Sequence, residues 1–440
     1  METPEPPLHW SRANEDANAD VTGGVSSEKP VRWKRNLLFI WLSQILSIGG
    51  YASAMPFIPI YIRDRWGITS EHELGLWMSA FYFFGMLSFC VFTPVWGMLA
   101  DRYGRKLMLL RACYIDAILF PCFLLAPSPF WLIVARFVAS AFTGTVSAAQ
   151  TLIVTTTPEK HHGFALGTLS SAIWSGNLFG FAAGGLIVHW FGFTTAFACC
   201  GVMYLLAGIL AHLFVEDPFS VREASRAVQG KVALWPGITV GVWMIFLLII
   251  LTAIARRFDD PYVALMVEKI HGPERTAFHT GWISAVAALG GIISGMVTGR
   301  LCDLFSPNKV ALPSILVASG TMFLQAVSGS LPWYAGARFV NFLATGGLEP
   351  VFFSILSKVS PPAQRGTYFG LASGLRMTGI MLGSLFSGGI IYFVGLRNVY
   401  TAAGILFLII IPVYYATIRA LKKQEPVAGK GVNSKKNSDS

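Results

Sequence analysis

The sequence carries little charge. Asp, Glu, Lys and Arg make up 13% of its 440 residues, and hydrophobic residues make up 54%, whereas soluble domains carry roughly 25% charged residues. Its mean hydropathy is +0.58. This composition excludes an ordinary soluble domain. It predicts an all-α integral membrane protein, because a helix satisfies its own backbone hydrogen bonds inside a bilayer.

Motifs of catalytic and metal sites are missing as well. The six Cys residues lie mostly in apolar stretches and include no C-x-x-C pair, so we interpret them as small core residues. The sequence contains no H-E-x-x-H, P-loop or nucleophile-elbow pattern. We therefore expect no enzyme activity, no cofactor, no metal site and no ATP-binding site in this chain.

The formal net charge of +10 does not indicate a nucleic-acid partner. Of the 33 Lys and Arg residues, we assign 23 to cytoplasmic segments, 5 to outer loops and 5 to spans, which is the positive-inside distribution. This distribution predicts a multi-pass protein of the cell membrane with both termini in the cytoplasm. The first thirty residues lack an apolar h-region, so we expect no cleavable signal peptide.

Twelve apolar stretches are long enough to cross the roughly 30 Å bilayer core as helices. We predict spans at 36–62, 74–99, 107–125, 130–154, 164–190, 194–215, 235–267, 280–299, 310–328, 333–355, 367–394 and 399–421. They form two six-helix bundles, 34–215 and 235–421, joined by a cytoplasmic linker at 216–234. The polar ends, 1–33 and 422–440, are expected to be disordered cytoplasmic tails.

The second bundle repeats the first in sequence. Subtracting 205 places Pro261 on Pro56, and subtracting 202 places Asp303 on Asp101. Residues 337–340 and 135–138 both read Ala-Arg-Phe-Val, again at an offset of 202. Two similar six-helix halves with a substrate between them are typical of secondary transporters.

A short charged turn joins the second and third spans. Its sequence at 97–106 is Gly-Met-Leu-Ala-Asp-Arg-Tyr-Gly-Arg-Lys, which resembles the loop 2–3 motif of the major facilitator superfamily. The resemblance implies a conformational gate, in which Asp101 and Arg105 bridge to the other half when the protein faces outward. The alternative is a basic turn that only fixes topology. The candidate gate residues are Gly97, Asp101, Arg102, Gly104, Arg105 and Lys106.

The fifth span is rich in glycine, at a spacing that lets another helix approach closely. This spacing resembles the antiporter motif of proton-coupled drug exporters, although Phe181 stands where that motif has a proline. The resemblance implies a sliding interface, and the alternative is packing alone. The glycines concerned are Gly167, Gly176, Gly180, Gly184 and Gly185.

The first and fourth spans carry two further resemblances. Gly50-x5-Pro56-x2-Pro59 resembles the first-helix pattern of the twelve-span drug/proton antiporters, and Tyr51 and Pro56 are candidates for the substrate cavity. Arg136 resembles the arginine of the family's fourth-helix motif, which implies help in proton transfer. The alternative is that its side chain extends to the outer interface.

Four charged residues lie near the middle of the seventh span: Arg256, Arg257, Asp259 and Asp260. Each costs about 2.5–3.5 kcal/mol at a bilayer centre unless it is paired or wet. Helical spacing would pair Arg256 with Asp259 (i,i+3) and Asp260 (i,i+4). The patch is therefore a neutralised cluster, a polar gate or binding surface, or a break in the helix.

Three other charged residues lie inside spans: Asp116, Glu349 and Arg376. A proton carrier needs a carboxyl whose pKa burial can raise towards neutrality. We place Glu349 first, because glycines precede it and a proline follows it. The two carboxylates of the seventh span and Asp116 follow. The alternative is a buried salt bridge of Glu349 or Asp116 to Arg376 or Arg111.

The whole span region resembles the drug/proton antiporter branch of the major facilitator superfamily. The resemblance is carried by 33–37, 55–57, 104–111 and 163–170. It implies a monomeric, proton-coupled antiporter that exports amphipathic small molecules by alternating access. One alternative is a carrier of an anionic metabolite that uses Arg256, Arg257 and Arg376, whose planar guanidinium groups suit phosphate and carboxylate. Another is a non-transporting receptor on the same fold.

Overall fold

The computed structural model describes residues 32–217, 239–304, 307–360 and 365–424, and these residues form helices and turns without a strand. The predicted tails lie almost wholly outside the described residues, as does the linker from residue 218 onward. The helix bounds, in chain order, are Trp33–Ala54, Ile58–Trp66, Glu71–Tyr103, Arg105–Leu119, Pro129–Phe142, Thr145–Thr156, His162–Phe214, Val240–Arg257, Val263–His271, Thr276–Leu304, Pro307–Val327, Leu331–Thr345, Leu348–Val359, Arg365–Val394 and Leu396–Gln424.

These helices form eleven continuous segments that are long and apolar enough to cross a membrane within the described part of the chain. One of them, His162–Phe214, has 53 residues and would be about 80 Å long as a single helix, more than twice the bilayer core. It is interrupted at Gly192, whose φ of 77° and ψ of 178° are not helical. The segment therefore holds two spans, and we number the spans 1 to 12 in chain order.

Helix breaks recur at equivalent places in the two halves. Span 1 is interrupted by a 3-10 turn at Met55–Phe57 and span 7 by one at Asp260–Tyr262, 205 residues later. Span 4 is interrupted at Gly144, and span 10 at Gly346, 202 residues later. These are the offsets of the sequence repeat, so the two halves share their irregularities as well as their helix order.

Span 5 packs closely on span 1 through its glycines. A Cβ on Gly180 would lie 2.5 Å from the carbonyl oxygen of Gly49, and one on Gly184 would collide with the backbone of Ser53. Gly185 faces Gly281 of span 8, in the other half. Gly167 differs, because a Cβ there meets open space.

Although span 5 packs on span 8 as far in as Trp174 and Gly291, the hydrogen bonds and ion pairs between the halves gather at one end of the bundle. We call it the outer end, because the distribution of Lys and Arg predicts that it faces away from the cytoplasm. Arg63 of span 1 forms an ion pair with Glu268 of span 7. Deeper in the bundle, the Ser79 hydroxyl of span 2 donates a hydrogen bond of 2.7 Å to the Ser384 carbonyl of span 11. All the inter-half hydrogen bonds and ion pairs seen among the described residues lie in this outer part.

Candidate functional site

Span 7 is broken where its four charged residues lie. Its first helix ends at Arg257 and its second begins at Val263. Pro261 explains the break, because proline has no backbone N–H and its ring clashes with the carbonyl four residues earlier. The predicted same-helix pairs of Arg256 with Asp259 and Asp260 are therefore wrong, and the interpretation of a broken helix is confirmed.

The carboxylates of span 7 are paired with arginines instead. Asp259 forms a close ion pair with Arg338 of span 10, whose other guanidinium nitrogen lies 3.3 Å from Asp260. Arg257 donates a hydrogen bond of 2.6 Å to Asp260. Only 1% of the Asp259 side chain and 4% of the Arg338 side chain are exposed, so this part of the cluster is shielded from water.

Glu349 lies between two arginines. One of its carboxylate oxygens is 3.1 Å from Arg256 of span 7, and the other is 3.8 Å from Arg376 of span 11. The sequence alternative of a salt bridge from Glu349 to Arg376 is thus present, with Arg256 as the closer partner. Glu349 links three spans of the second half in this conformation.

The cluster also faces water. Arg257 lies midway along span 7, and 48% of its side chain is exposed. Arg376 and Glu349 are exposed to 27% and 24%. A charged side chain midway along a span faces the bundle interior or a water-filled cavity rather than lipid, so we interpret these residues as a charged wall of the second half that lines the space between the halves. The four arginines of the cluster outnumber its three carboxylates.

Arg136 is buried in the first half. Its Nη2 donates a hydrogen bond of 3.0 Å to the Tyr51 hydroxyl, and its guanidinium lies 5.3 Å from the ring centroids of Tyr51 and Phe81. Only 9% of the residue is exposed, so the alternative that its side chain extends to the outer interface is wrong. Arg136 and Arg338 contact equivalent stretches of spans 1 and 7, but Arg136 has no carboxylate among these contacts.

Asp116 of span 3 is fully buried. Neither of its carboxylate oxygens has a hydrogen-bond partner among the described residues. The Thr143 hydroxyl lies near enough to act as a weak hydrogen-bond donor outside ordinary hydrogen-bond geometry, and Arg136 and Arg111 are the neighbouring positive charges. The alternative of a salt bridge between Asp116 and Arg111 is not formed in this conformation.

Arg111 lies at the break in span 4. Its guanidinium stacks 3.5 Å from the ring centroid of Trp96, and its Nη2 approaches the Thr143 carbonyl at 3.5 Å. Trp96 donates a hydrogen bond of 2.6 Å to the Ala141 carbonyl. Because the break frees these carbonyls from helical hydrogen bonds, spans 2 and 3 supply the missing donors beside Asp116.

The turn at 97–106 is docked within its own half. Gly104 has a φ of 98° that favours glycine, and the next helix begins at Arg105. The Asp217 carboxylate accepts hydrogen bonds of 2.8 and 2.9 Å from the backbone N–H groups of Arg105 and Lys106. It thereby caps the start of span 3, as a side-chain cap does.

Among the described residues, no hydrogen bond or ion pair joins the other gate candidates to the second half. A Cβ on Gly97 would meet open space, Arg102 is exposed, and the Asp101 side chain lies outside the described residues.

Three acidic residues that join elements were not among the candidates from the sequence. Asp217 caps span 3 from the end of span 6, and Glu71 and Glu268 join the halves at the outer end. A signal for Glu71 was present, because Ser70 and Glu73 form an S-x-x-E capping pattern, and the Ser70 hydroxyl accepts a hydrogen bond of 3.4 Å from the Glu73 N–H. Span 2 therefore begins at Glu71 rather than at the predicted residue 74.

Twelve spans in two similar halves, with a charged wall at mid-span, define a multi-pass membrane transporter. The chain belongs to the Major Facilitator Superfamily, whose family model matches residues 40–272 and 238–437. It is therefore a transporter and not an enzyme, and the resemblance found in the sequence is confirmed. No group of three His, Cys, Asp or Glu side chains in the described ranges could hold a metal ion.

Two curated relatives carry names related to drug efflux. The chain is 30% identical over 383 residues to the multi-drug resistance efflux pump PmrA homolog of Lactococcus lactis, covering 84% of this chain and 92% of the relative. It is 30% identical over 392 residues to multidrug resistance protein MdtG of Citrobacter koseri, covering 87% and 95%. Among solved structures, a bacterial homolog of the human lysosomal transporter Spinster, in an inward-facing and occupied conformation, matches with a TM-score of 0.74 at 17% identity, covering 90% of this chain and 99% of that one.

Proposed function

We propose that this protein is a proton-coupled antiporter that exports amphipathic small molecules across the cell membrane by alternating access, with both termini in the cytoplasm. The names of the efflux relatives support export of drug-like molecules. The observation that carries proton coupling is Asp116, a fully buried carboxyl without an ion-pair partner among the described residues.

The environment of Asp116 differs from that of the other intramembrane carboxylates. Asp259, Asp260 and Glu349 each have an arginine within ion-pair distance. An ionised carboxylate buried without such a partner costs several kcal/mol, so Asp116 carries a proton in this conformation. A shift that brings Arg111 or Arg136 to its oxygens would favour release of that proton.

Asp116, Arg111 and Arg136 all belong to the first half, so this shift is a rearrangement within that half that accompanies the rocking of the two halves. The halves are joined at the outer end, while Arg257 at mid-span is exposed, as expected if the central space opens towards the cytoplasm. Closing the cytoplasmic end would move spans 3 and 4 against the second half. We also propose that the turn at 97–106 is the gate on that side, and that Gly185, opposite Gly281, lies on the sliding interface.

The experiment compares two transport modes in proteoliposomes with the lipophilic cation tetraphenylphosphonium. Asp116→Asn is expected to lose at least tenfold of the transport driven by a pH gradient, while exchange of labelled for unlabelled cation continues. Asp64→Asn is the control, because that carboxylate is 48% exposed at the outer end. Full dependence on the pH gradient in Asp116→Asn would contradict the proposal, and its loss in Glu349→Gln would move the proton site to span 10.

A second candidate, a carrier of anionic metabolites, is favoured by the arginine excess of the charged wall. Arg257 and Arg376 are its most exposed members, and a guanidinium suits carboxylate and phosphate groups. Arg376→Gln distinguishes the two functions. An anion carrier would lose transport of an organic phosphate in this variant, whereas an exporter of lipophilic cations would retain its transport.

A further inference from the structure

The start of span 2 is tied to the opposite half by two consecutive residues. Glu71 and His72 belong to the first half, and both contact the turn between spans 11 and 12 in the second half. That turn contains Gly395, whose φ of 97° suits glycine. Span 11 ends at Val394 and span 12 begins at Leu396, so two helix ends with opposite partial charges lie side by side.

Glu71 binds the positive end of span 12. One of its carboxylate oxygens accepts a hydrogen bond of 2.7 Å from the Leu396 N–H, the first of that helix. Its other oxygen lies 2.7 Å from Nζ of Lys269, at the end of span 7. A carboxylate near a helix N-terminus is stabilised by the free N–H groups and by the helix dipole. Glu71 therefore holds two elements of the other half at once.

His72 binds the negative end of span 11. Its Nδ1 lies 3.0 Å from the Ile391 carbonyl and 2.7 Å from the Tyr392 carbonyl. Carbonyl oxygens only accept hydrogen bonds, so this contact requires the tautomer with a proton on Nδ1. The carbonyls of a last helical turn lack intrahelical partners. The Ile391 carbonyl also accepts a hydrogen bond of 3.2 Å from the Gly395 N–H, and the imidazole supplies a donor to the Tyr392 carbonyl.

We infer that Glu71 and His72 form an outer latch. Glu71 binds the N-terminus of span 12, His72 binds the C-terminus of span 11, and together they hold the transporter closed on its outer side. Opening that side separates the carboxylate from both Leu396 and Lys269, and the imidazole from both carbonyls. The latch sets how often the outer side opens. This inference rests on the alternating-access cycle proposed above but not on proton coupling.

The close packing behind the latch makes its release a movement of the whole half. Gly75, one helical turn after Glu71, faces the Ile391 side chain so closely that a Cβ would collide with it. Ser79, one turn further along, donates its hydrogen bond to Ser384 of span 11. Spans 2 and 11 thus stay in register over roughly 12 Å from the latch inward, so loss of the latch exposes this whole seam.

Hydrogen–deuterium exchange of the purified full-length protein in nanodiscs tests the latch without any transport assay. In Glu71→Gln, the amides of peptides that cover 75–80 and 384–390 are expected to exchange roughly tenfold faster than in the parent, because the ion pair is lost and the hydrogen bond to Leu396 becomes an uncharged one. The matched control is Glu73→Gln. Glu73 lies in the same helical turn, but the one donor to its carboxylate within the described ranges is Trp77 of its own span, at 3.4 Å.

Two outcomes would overturn the inference. If Glu71→Gln and Glu73→Gln exchange alike along the seam, the two halves are not held by Glu71. If the charge swap Glu71→Lys with Lys269→Glu restores full protection, the ion pair is sufficient and the helix end contributes nothing. The latch predicts incomplete rescue, because a lysine at position 71 would face the positive end of span 12. Neither exchange measurement depends on proton coupling, so a failure of the proton-coupling proposal can be distinguished from a failure of the latch.

Discussion

Arg338 illustrates, for a single residue, how charge is retained inside this bundle. The residue is 3% exposed and lies against the two carboxylates of span 7, with its guanidinium 5.2 Å from the centroid of the Phe342 ring. A buried ion pair is only weak support for stability, but removing one partner leaves an uncompensated charge. The stability of this region therefore depends on the balance of positive and negative charge between Arg338 and the carboxylates of span 7, more than on any one of these residues.

Replacing Arg338 tests that balance. Arg338→Met is expected to lower the free energy of unfolding by about 3–5 kcal/mol, since Asp259 would remain buried without its partner. The double variant with Asp259→Asn should recover most of this loss, because the orphan charge is removed. The measurement is thermal unfolding in detergent, in which size-exclusion chromatography monitors the folded fraction that remains after heating. Equal loss in the single and double variants would show that the ion pair is not what stabilises the site.

The sequence located the intramembrane charges and one of their pairs, Glu349 with Arg376, but not the others. Helical spacing suggested pairs of Arg256 within span 7. Instead, Pro261 breaks that helix, Asp259 pairs with Arg338 of span 10, and Asp260 lies between Arg338 and Arg257. Which residues meet across spans depends on how the helices cross, and a single sequence does not contain that distance. For the same reason the sequence ranked Glu349 first as a proton carrier. In the structure Glu349 lies between Arg256 and Arg376, whereas Asp116 has no ion-pair partner among the described residues.

At the level of helices, the contact between spans 1 and 5 shows what the glycine spacing accomplishes. Three successive glycines of span 5, at positions 176, 180 and 184, lie against the backbone of span 1. Membrane helices gain little from burying apolar surface against each other, so association relies on close packing of this kind. The packing alternative thus accounts for the contacts of these glycines in this conformation, whereas Gly185 faces span 8 instead.

A methyl group distinguishes packing glycines from the others. Gly184→Ala is expected to lower the thermal midpoint by several degrees or to prevent folding, because its Cβ would collide with the backbone of Ser53. Gly167→Ala, on the same span, is the matched control, since its Cβ meets open space. Comparing the thermal midpoints of the two variants in detergent tests whether Gly184, unlike Gly167, is needed for close packing. Unchanged stability in Gly184→Ala would mean that spans 1 and 5 are further apart than described.

Helix existence was predictable, while helix ends and interruptions were only partly so. The hydrophobic runs yielded all eleven apolar segments found in the described part of the chain, because twenty apolar residues have few alternatives in a bilayer. The start of span 2 was placed three residues late, at 74 rather than at Glu71, because the Ser70 cap was overlooked. The break at Gly144 has a φ of 134° and no proline, so hydrophobicity alone does not reveal it.

At the scale of the whole molecule, the sequence repeat was the strongest predictor of architecture. Offsets of 202 and 205 residues in the sequence reappear as paired helix breaks at 144 and 346, and at Pro56 and Pro261. The conformation was not predictable, because the relative free energies of outer-open and outer-closed states depend on a few contacts between halves. Glu71, Arg63 and Ser79 are such contacts, and they hold the outer end closed.

Whether protons and substrate move in opposite directions is the central question for this molecule. The most direct measurement uses proteoliposomes that contain the wild-type protein and a pH-sensitive dye, with tetraphenylphosphonium added outside and no imposed gradient. The account predicts that entry of the cation releases protons from the lumen, that Asp116→Asn abolishes this release, and that empty liposomes show none. Entry of the cation at a normal rate without any proton movement would contradict the account. A proton response to an organic phosphate but not to the cation would favour the anion carrier.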